Sequence, residues 1–372
     1  MYKVCQITSA AGIGGGELHL LLLARYLHGR EFQFDFILPD EGQFCDRLQA
    51  AGLPYQVIPM RSKFSLQASK QVWLALAKNP RSIVHCHGAR ANWYARRAAH
   101  ETGSGALFCT LHNSLKDYPY SALRRRFYLA LERQSAALVD QWIAVSQSLG
   151  RDLAEYYGVD EKKIAVVPNG IRIEDMQPQR PRDEIRWELE LQPDSFVVLE
   201  VARMTDQKGH RFLIDALGAA RAHIPNLRCL LAGDGPTRTE LERQVAALGL
   251  QPVVKFLGFR SDVADLLHAA DLVVLPSLSE GMPMGILEAM AAGRAVLATA
   301  VSGTPEIVEH GVDGWLIPAA DAVALAAALQ TLAADAPLRA RLGAAARQVV
   351  ARRFSAERMA SSVGELYRTH VA

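Results

Sequence analysis

Long apolar runs are missing from this chain of 372 residues. No stretch of about 18 consecutive apolar residues occurs, which argues against a transmembrane helix. Cysteine is scarce: Cys5, Cys45, Cys86, Cys109 and Cys229 are scattered, odd in number and form no CxxC pair. Neither a disulfide framework nor a structural zinc site fits that usage. Asp-x-Asp is absent as well, so the usual carboxylate cage for a divalent cation on a diphosphate is missing and metal-independent chemistry is expected. The opening MYKVCQIT lacks the apolar core of a secretory signal and reads as a first strand. A reduced, cytoplasmic protein is the expectation. With a net charge of only +2 and no recognisable nucleic-acid module, nucleic-acid binding is disfavoured.

What is present describes an ordinary globular protein, 50% hydrophobic and 22% charged. The length predicts two domains. The charge is unevenly spread. Residues 1–180 carry 22 Lys and Arg against 16 Asp and Glu, and the remainder carries 19 against 23. A basic N-terminal half points to an acidic partner, either a phosphorylated substrate or an anionic lipid surface.

Short, partly β-branched apolar runs alternate with segments of helical period. The runs are Val4–Thr8, Phe32–Leu38, Tyr55–Ile58, Ser82–His85, Ala106–Thr110, Trp142–Val145 and Ile164–Val167. A second series comprises Phe196–Ala202, Leu227–Ala232, Val253–Leu257, Leu272–Leu275, Ala295–Ala298 and Trp315–Ile317. This is the βαβ pattern of parallel sheets covered on both faces. The fold class is therefore α/β, two Rossmann-like doubly wound domains. The expected boundaries are 1–168, a Pro-rich linker over 169–194, a second domain over 195–352, and a C-terminal helix over 353–372 that returns to the first domain. Ligands bind such sheets at the carboxyl ends of their strands, so a crevice between facing domains is the expected site.

The first glycine cluster, Gly12-Ile-Gly14-Gly15-Gly16-Glu17, follows the first strand and precedes a helix, where glycine lets backbone approach a phosphate. Read as a dinucleotide fingerprint, with Asp40 as the ribose acid, it would imply a nicotinamide-dependent oxidoreductase. Glu17 replaces the third glycine and weakens that reading. The second half is denser. Arg203 ends a strand and Lys208-Gly209 leads into a helix, which suits two cations to a diphosphate. Ala232-Gly233-Asp234-Gly235-Pro236 is another strand-to-helix glycine loop. In Ser279-Glu280-Gly281-Met282-Pro283-Met284-Gly285-Ile286-Leu287-Glu288 two carboxylates stand eight residues apart around an expected helix start near Pro283.

With these motifs the chain resembles the retaining glycosyltransferases of family 4, which have the GT-B fold. The resemblance also rests on Val167-Pro168-Asn169-Gly170, Leu257-Gly258, Ala269-Ala270-Asp271-Leu272, Pro276-Ser277, Ala289-Met290-Ala291-Ala292-Gly293 and Gly303-Thr304-Pro305-Glu306. It implies that Arg203 and Lys208 hold a donor diphosphate, Glu288 the nucleotide ribose and Glu280 the donor sugar. It places the base near Gly258, Phe259 and Arg260. Backbone N–H groups around Met282–Gly285 would hold sugar and phosphate oxygens, with Gly281, Met282, Pro283, Met284 and Gly285 on the donor-binding side, and Gly15 and Gly16 would approach the diphosphate. His112, after a strand, resembles the segment that reaches the donor sugar. Catalytic roles therefore fall to His112, Glu280, Arg203 and Lys208.

Glu17 and His87 are acceptor-side candidates. For His85-Cys86-His87 a shared metal ion is not expected, on the argument that alternating strand residues face opposite ways. Arg124, Arg125 and Arg126, beside Phe127 and Tyr128, form a basic, aromatic segment suited to an anionic membrane. The resulting expectation is a retaining transferase using a UDP- or GDP-sugar, with a glycan or lipid-linked acceptor, in bacterial surface-glycan assembly at the inner face of the plasma membrane. No cofactor or metal is expected. The alternatives are the oxidoreductase and a non-catalytic nucleotide-sugar-binding protein.

Overall fold

A computed structural model describes residues 1–12, 14–60, 64–79, 81–118 and 120–371. Strands buried on both faces of a parallel sheet need near-continuous apolar sequence, and these runs supply it. The first sheet contains β1 (Tyr2–Thr8), β2 (Phe32–Leu38), β3 (Tyr55–Val57), β4 (Ile83–His87), β5 (Ala106–Leu111), β6 (Gln141–Ala144) and β7 (Ile164–Val166). Its order is β3-β2-β1-β4-β5-β6-β7 and all pairs are parallel. The second contains β8 (Phe196–Val201), β9 (Leu227–Ala232), β10 (Val254–Gly258), β11 (Leu272–Leu275), β12 (Ala295–Thr299) and β13 (Trp315–Ile317), in the order β10-β9-β8-β11-β12-β13. Both orders are of the Rossmann type, and each reverses direction once, between β1 and β4 and between β8 and β11. Ligands of open parallel sheets sit at that reversal. Thr8 is paired with His87 at the first reversal. Beyond the second lie Arg203 and Lys208 after β8 and the 279–288 segment after β11.

The chain divides into two compact units, Met1–Gly170 with Ala356–Ala372, and Ile171–Ser355. The proline content of 169–194 predicts a linker, and the structure differs. Residues from Ile171 onward belong to the second unit, with a 3-10 turn at Ile173–Met176 and a helix at Arg182–Glu188. Their arginines form a seam with carboxylates of helix Val263–Ala269, its N-cap and the turn before β11. Arg180 bonds Asp265 and Asp262 at 2.8 Å each, and Arg182 and Arg186 grip the two oxygens of Asp271 at 2.5 and 2.8 Å. A composition typical of linkers here makes a bidentate ion-pair network.

The C-terminal helix Ala356–Val371 carries Ala356, Met359, Ala360, Val363 and Tyr367 on one face, at three- and four-residue spacing. That face enters the first unit's core beside Leu20, Phe32, Phe34 and Phe108. A Cβ on Gly364 would lie 3.2 Å from Leu27 Cδ2, so the approach to helix Gly15–Leu27 is close.

Candidate functional site

In the second unit, β8 delivers Arg203 and a 3-10 turn, Asp206–Lys208, delivers Lys208. Gly209 permits the step: its φ is +72°, and a Cβ there would lie 2.0 Å from the Pro276 carbonyl oxygen. The loop after β8 is thereby pressed against the loop after β11. Across that contact Lys208 Nζ donates to Glu280 Oε1 at 2.5 Å, and Ser277 Oγ donates to the same oxygen at 2.7 Å. Glu280 is 5% exposed and Ser277 is fully buried. Gln207 Nε2 donates to the Ser279 carbonyl at 2.9 Å and fixes the loop. Both side-chain bonds fall on Oε1, which leaves Oε2 for a ligand. Arg203 is exposed and has no ion pair among the described residues.

Glu288 lies one turn into helix Met284–Ala291, half-buried and without a cationic partner among the described residues. Burial raises its carboxyl to about 7. No side chain caps this helix, so its first N–H groups stay open. Gly281, Met282, Pro283 and Met284 are buried and Gly285 is half-buried. Pro283 has no N–H, so the expected run of donors over 282–285 is interrupted there. Gly258 closes β10 in a left-handed conformation, φ +68°, and Phe259 is 55% exposed. Arg260 donates to Asp262 at 2.7 and 2.5 Å and to Glu188 at 3.0 Å. Its guanidinium is thus committed to the ion-pair seam.

In the first unit, Gly14 ends in an extended conformation and no side chain caps the helix that Gly15 and Gly16 begin. Glu17 is buried in its first turn. His112 lies beside this loop, its Cδ2 4.0 Å from where a Cβ of Gly16 would stand. His87 Nδ1 is 3.2 Å from His112 Nε2, and the His19 ring lies edge-on to His112 with centroids 5.2 Å apart. Burial lowers His112 to about 3 and His19 to about 4, and holds His85 and His87 well below the usual range, where neighbouring histidines add to it. These imidazoles are neutral at pH 7.

The expectation that His85 and His87 face opposite ways is wrong. Residues two apart on a strand share a face, and their rings lie 4.2 Å apart. Even so, no group of three or more His, Cys, Asp or Glu among the described residues is arranged to hold a metal ion.

Two sequence profiles match the chain: Glycosyltransferase Family 4 over residues 13–175 and Glycosyl transferases group 1 over residues 181–349. The crystal structure of Anabaena HepE in complex with UDP and glucose superposes with a TM-score of 0.90, at 26% identity, covering 99% of this chain and 100% of that one. The chain belongs to the GT-B glycosyltransferases of family 4. Among curated relatives, the Escherichia coli UDP-Gal:alpha-D-GlcNAc-diphosphoundecaprenol alpha-1,3-galactosyltransferase is 27% identical over 303 residues, 78% of this chain and 77% of the relative. The D-inositol 3-phosphate glycosyltransferase of Streptomyces avermitilis is 29% identical over 337 residues, 85% and 71% respectively. The oxidoreductase reading of the first glycine cluster falls with this assignment.

The glycosyltransferase also contains site-adjacent groups that sequence reasoning missed. Glu200, next to the carboxyl end of β8, is fully buried with both carboxylate oxygens unbonded among the described residues, and His210 Nε2 stands 3.5 Å away. Burial drives Glu200 well above the usual carboxylate range and His210 down to about 4, so both are neutral. A charged residue inside an apolar strand run was the available signal. Gln6, His19 and Tyr367 join the histidine group from distant parts of the sequence, and only their polarity within apolar stretches marks them.

On helix Ala122–Ala136 of the glycosyltransferase, Arg125 donates to the Tyr118 and Tyr120 carbonyls at 3.3 and 3.4 Å, and Arg124 lies over the Tyr120 ring at 4.8 Å. Arg126 is exposed beside Leu123 and Phe127, which are 80% and 53% exposed. Among the described residues, no helix is long and apolar enough to cross a membrane.

Proposed function

We propose that this glycosyltransferase moves a hexose from a UDP-sugar to a lipid-linked or glycan acceptor with retention of anomeric configuration. The observation that carries the reading is the Lys208–Glu280–Ser277 cluster at the reversal of the second sheet, with Arg203 on the loop after β8 and the half-buried Glu288 in the helix that follows Glu280. HepE, crystallised with UDP and glucose, supports the donor class. The Escherichia coli relative's diphosphoundecaprenol substrate supports a lipid-linked acceptor.

Cleavage at the anomeric carbon builds negative charge on the departing diphosphate. Arg203 and Lys208 are the cations that stabilise it, together with the open N–H groups of helix Met284–Ala291. Glu288 accepts from the ribose hydroxyls. Glu280 presents Oε2 to the sugar while its Oε1 keeps Lys208 in place. His112, neutral, offers a hydrogen-bonding nitrogen to the transferred sugar. The exposed segment around Leu123, Arg126 and Phe127 serves as a peripheral contact with anionic membrane on the acceptor side.

The test is transfer from a panel of UDP- and GDP-sugars to a polyprenyl-diphosphate sugar, with the anomer of the new linkage read by NMR. An α-linked product from an α-linked UDP-sugar, formed equally in EDTA, is expected. An inverted linkage, or loss in EDTA restored by Mg²⁺, contradicts the respective part. Donor binding without transfer or hydrolysis would instead leave a non-catalytic binding protein.

A further inference from the structure

Buried polar side chains of the first unit join into a single line. His112 Nε2 lies 3.2 Å from His87 Nδ1, and His87 Nε2 lies 2.8 Å from Gln6 Oε1. Gln6 Nε2 donates to Tyr367 Oη at 3.1 Å, which is 2.5 Å from His85 Nδ1. His85 Nε2 ends the line 2.7 Å from Thr110 Oγ1. Apart from half-buried His112, every member is buried.

A hydroxyl can donate or accept, and a neutral imidazole exchanges the two roles by changing tautomer. Five of the six members therefore have no direction of their own. The amide of Gln6 does, because its oxygen can only accept and its nitrogen can only donate. With Oε1 turned to His87, the His87 proton sits on Nε2 and its Nδ1 is bare. His112 must then donate from Nε2, which leaves its own Nδ1 bare. On the other side, the Gln6 amide donates to Tyr367, the tyrosine hydroxyl to His85, and His85 to Thr110.

We propose that Gln6, held by Tyr367 of the C-terminal helix, is a positioning residue that fixes the tautomer of His112 and so presents a bare Nδ1 to a hydroxyl of the transferred sugar. This rests on the reading of His112 as a sugar-side residue. Burial of the whole line favours neutral rings, as the strongly lowered histidine values require. His19 repeats the arrangement. Its Nδ1 faces Asn169 Oδ1 at 3.1 Å, and its Nε2 is buried without a partner. Two imidazole lone pairs thus stand in rings 5.2 Å apart. The lone pair of half-buried His112 accepts from O–H and N–H groups and disfavours a carboxylate or an ether oxygen in the same place.

The test is the ¹⁵N spectrum of histidine-labelled full-length protein at pH 7, with His112 assigned by the signal lost in His112→Gln. The wild type should show His112 neutral with its proton on Nε2. Gln6→Met and Tyr367→Phe should each give a mixture of both tautomers. Their kcat/KM for UDP-glucose should fall about tenfold, the loss expected for one hydrogen bond, while the corresponding deoxy donor changes little. A proton on Nδ1, or an imidazolium, in the wild type overturns the proposal even if neither variant folds. An unchanged kcat/KM in His112→Gln would overturn the sugar-side reading instead, independently of the tautomer.

Discussion

Replacing Lys208 by Met separates its ion pair with Glu280 from the diphosphate role proposed for it. Its ammonium lies 2.5 Å from Glu280, whose side chain is only 6% exposed, while its own is 24% exposed. Removing one partner of a fully buried pair costs about 3–5 kcal/mol, because the remaining charge is left uncompensated. Here the lysine is partly solvated and Ser277 still donates to Glu280, which reduces the cost to about 1–3 kcal/mol. For units of this size each kcal/mol moves Tm by about 2–4 °C, so a fall of roughly 2–12 °C is expected. Lys208→Met with Glu280→Gln removes the stranded charge and should recover most of that fall. Activity behaves differently. Loss of one fixed charge stabiliser should lower kcat by about 10²–10³-fold in the single variant, and the double variant should stay low. Calorimetric melting and donor turnover on the same preparations decide the matter. Recovery of kcat in the double variant would show that Lys208 only balances Glu280, and an unshifted Tm in the single variant would show that the pair is not coupled.

Arg203→Ala should lower kcat by about 10²–10³-fold with no change in Tm, since the side chain is exposed and unpaired among the described residues; normal turnover would remove it from the diphosphate clamp. Glu288 should make stability pH-dependent. Its folded value of about 7 exceeds the ordinary 4.5, so the folded protein holds a proton that the unfolded chain releases, and stability drains away as pH rises from about 4.5 to 7. Glu288→Gln should therefore be relatively more stable than wild type at pH 8 than at pH 4, and parallel denaturant curves at the two pH values would refute the assignment. Wild type should co-sediment with anionic liposomes at low salt and less at high salt. Arg126→Ser with Phe127→Ser should lose that binding, and equal binding to neutral liposomes would remove the membrane contact.

Much of this architecture is legible in the sequence because parallel strands need unbroken apolar runs. Phe32–Leu38, Leu227–Ala232 and Leu272–Leu275 form strands over the whole length their composition marks. Arg203, Lys208 and Glu280 stand out because strand-to-helix loops are short and their contents are easily read, and Glu288 because it follows such a loop by one helical turn. Pairings between remote positions are not legible in this way: Gln6 and Tyr367 meet across 361 residues of sequence. The segment 169–194 misled because proline and charge mark an exposed linker and an arginine–carboxylate seam alike, and only the partners Asp262, Asp265 and Asp271 distinguish them. His85 and His87 misled through an error of period.

In the proposed function the second unit's two carboxylates divide a UDP-sugar between them, Glu288 on the ribose and Glu280 on the sugar. Titration calorimetry of UDP and UDP-glucose into wild type, Glu288→Gln and Glu280→Gln tests it most directly. Glu288→Gln should weaken both ligands by a similar factor, and Glu280→Gln should weaken UDP-glucose while sparing UDP. The reverse pattern, or wild type that binds neither ligand, would contradict the account.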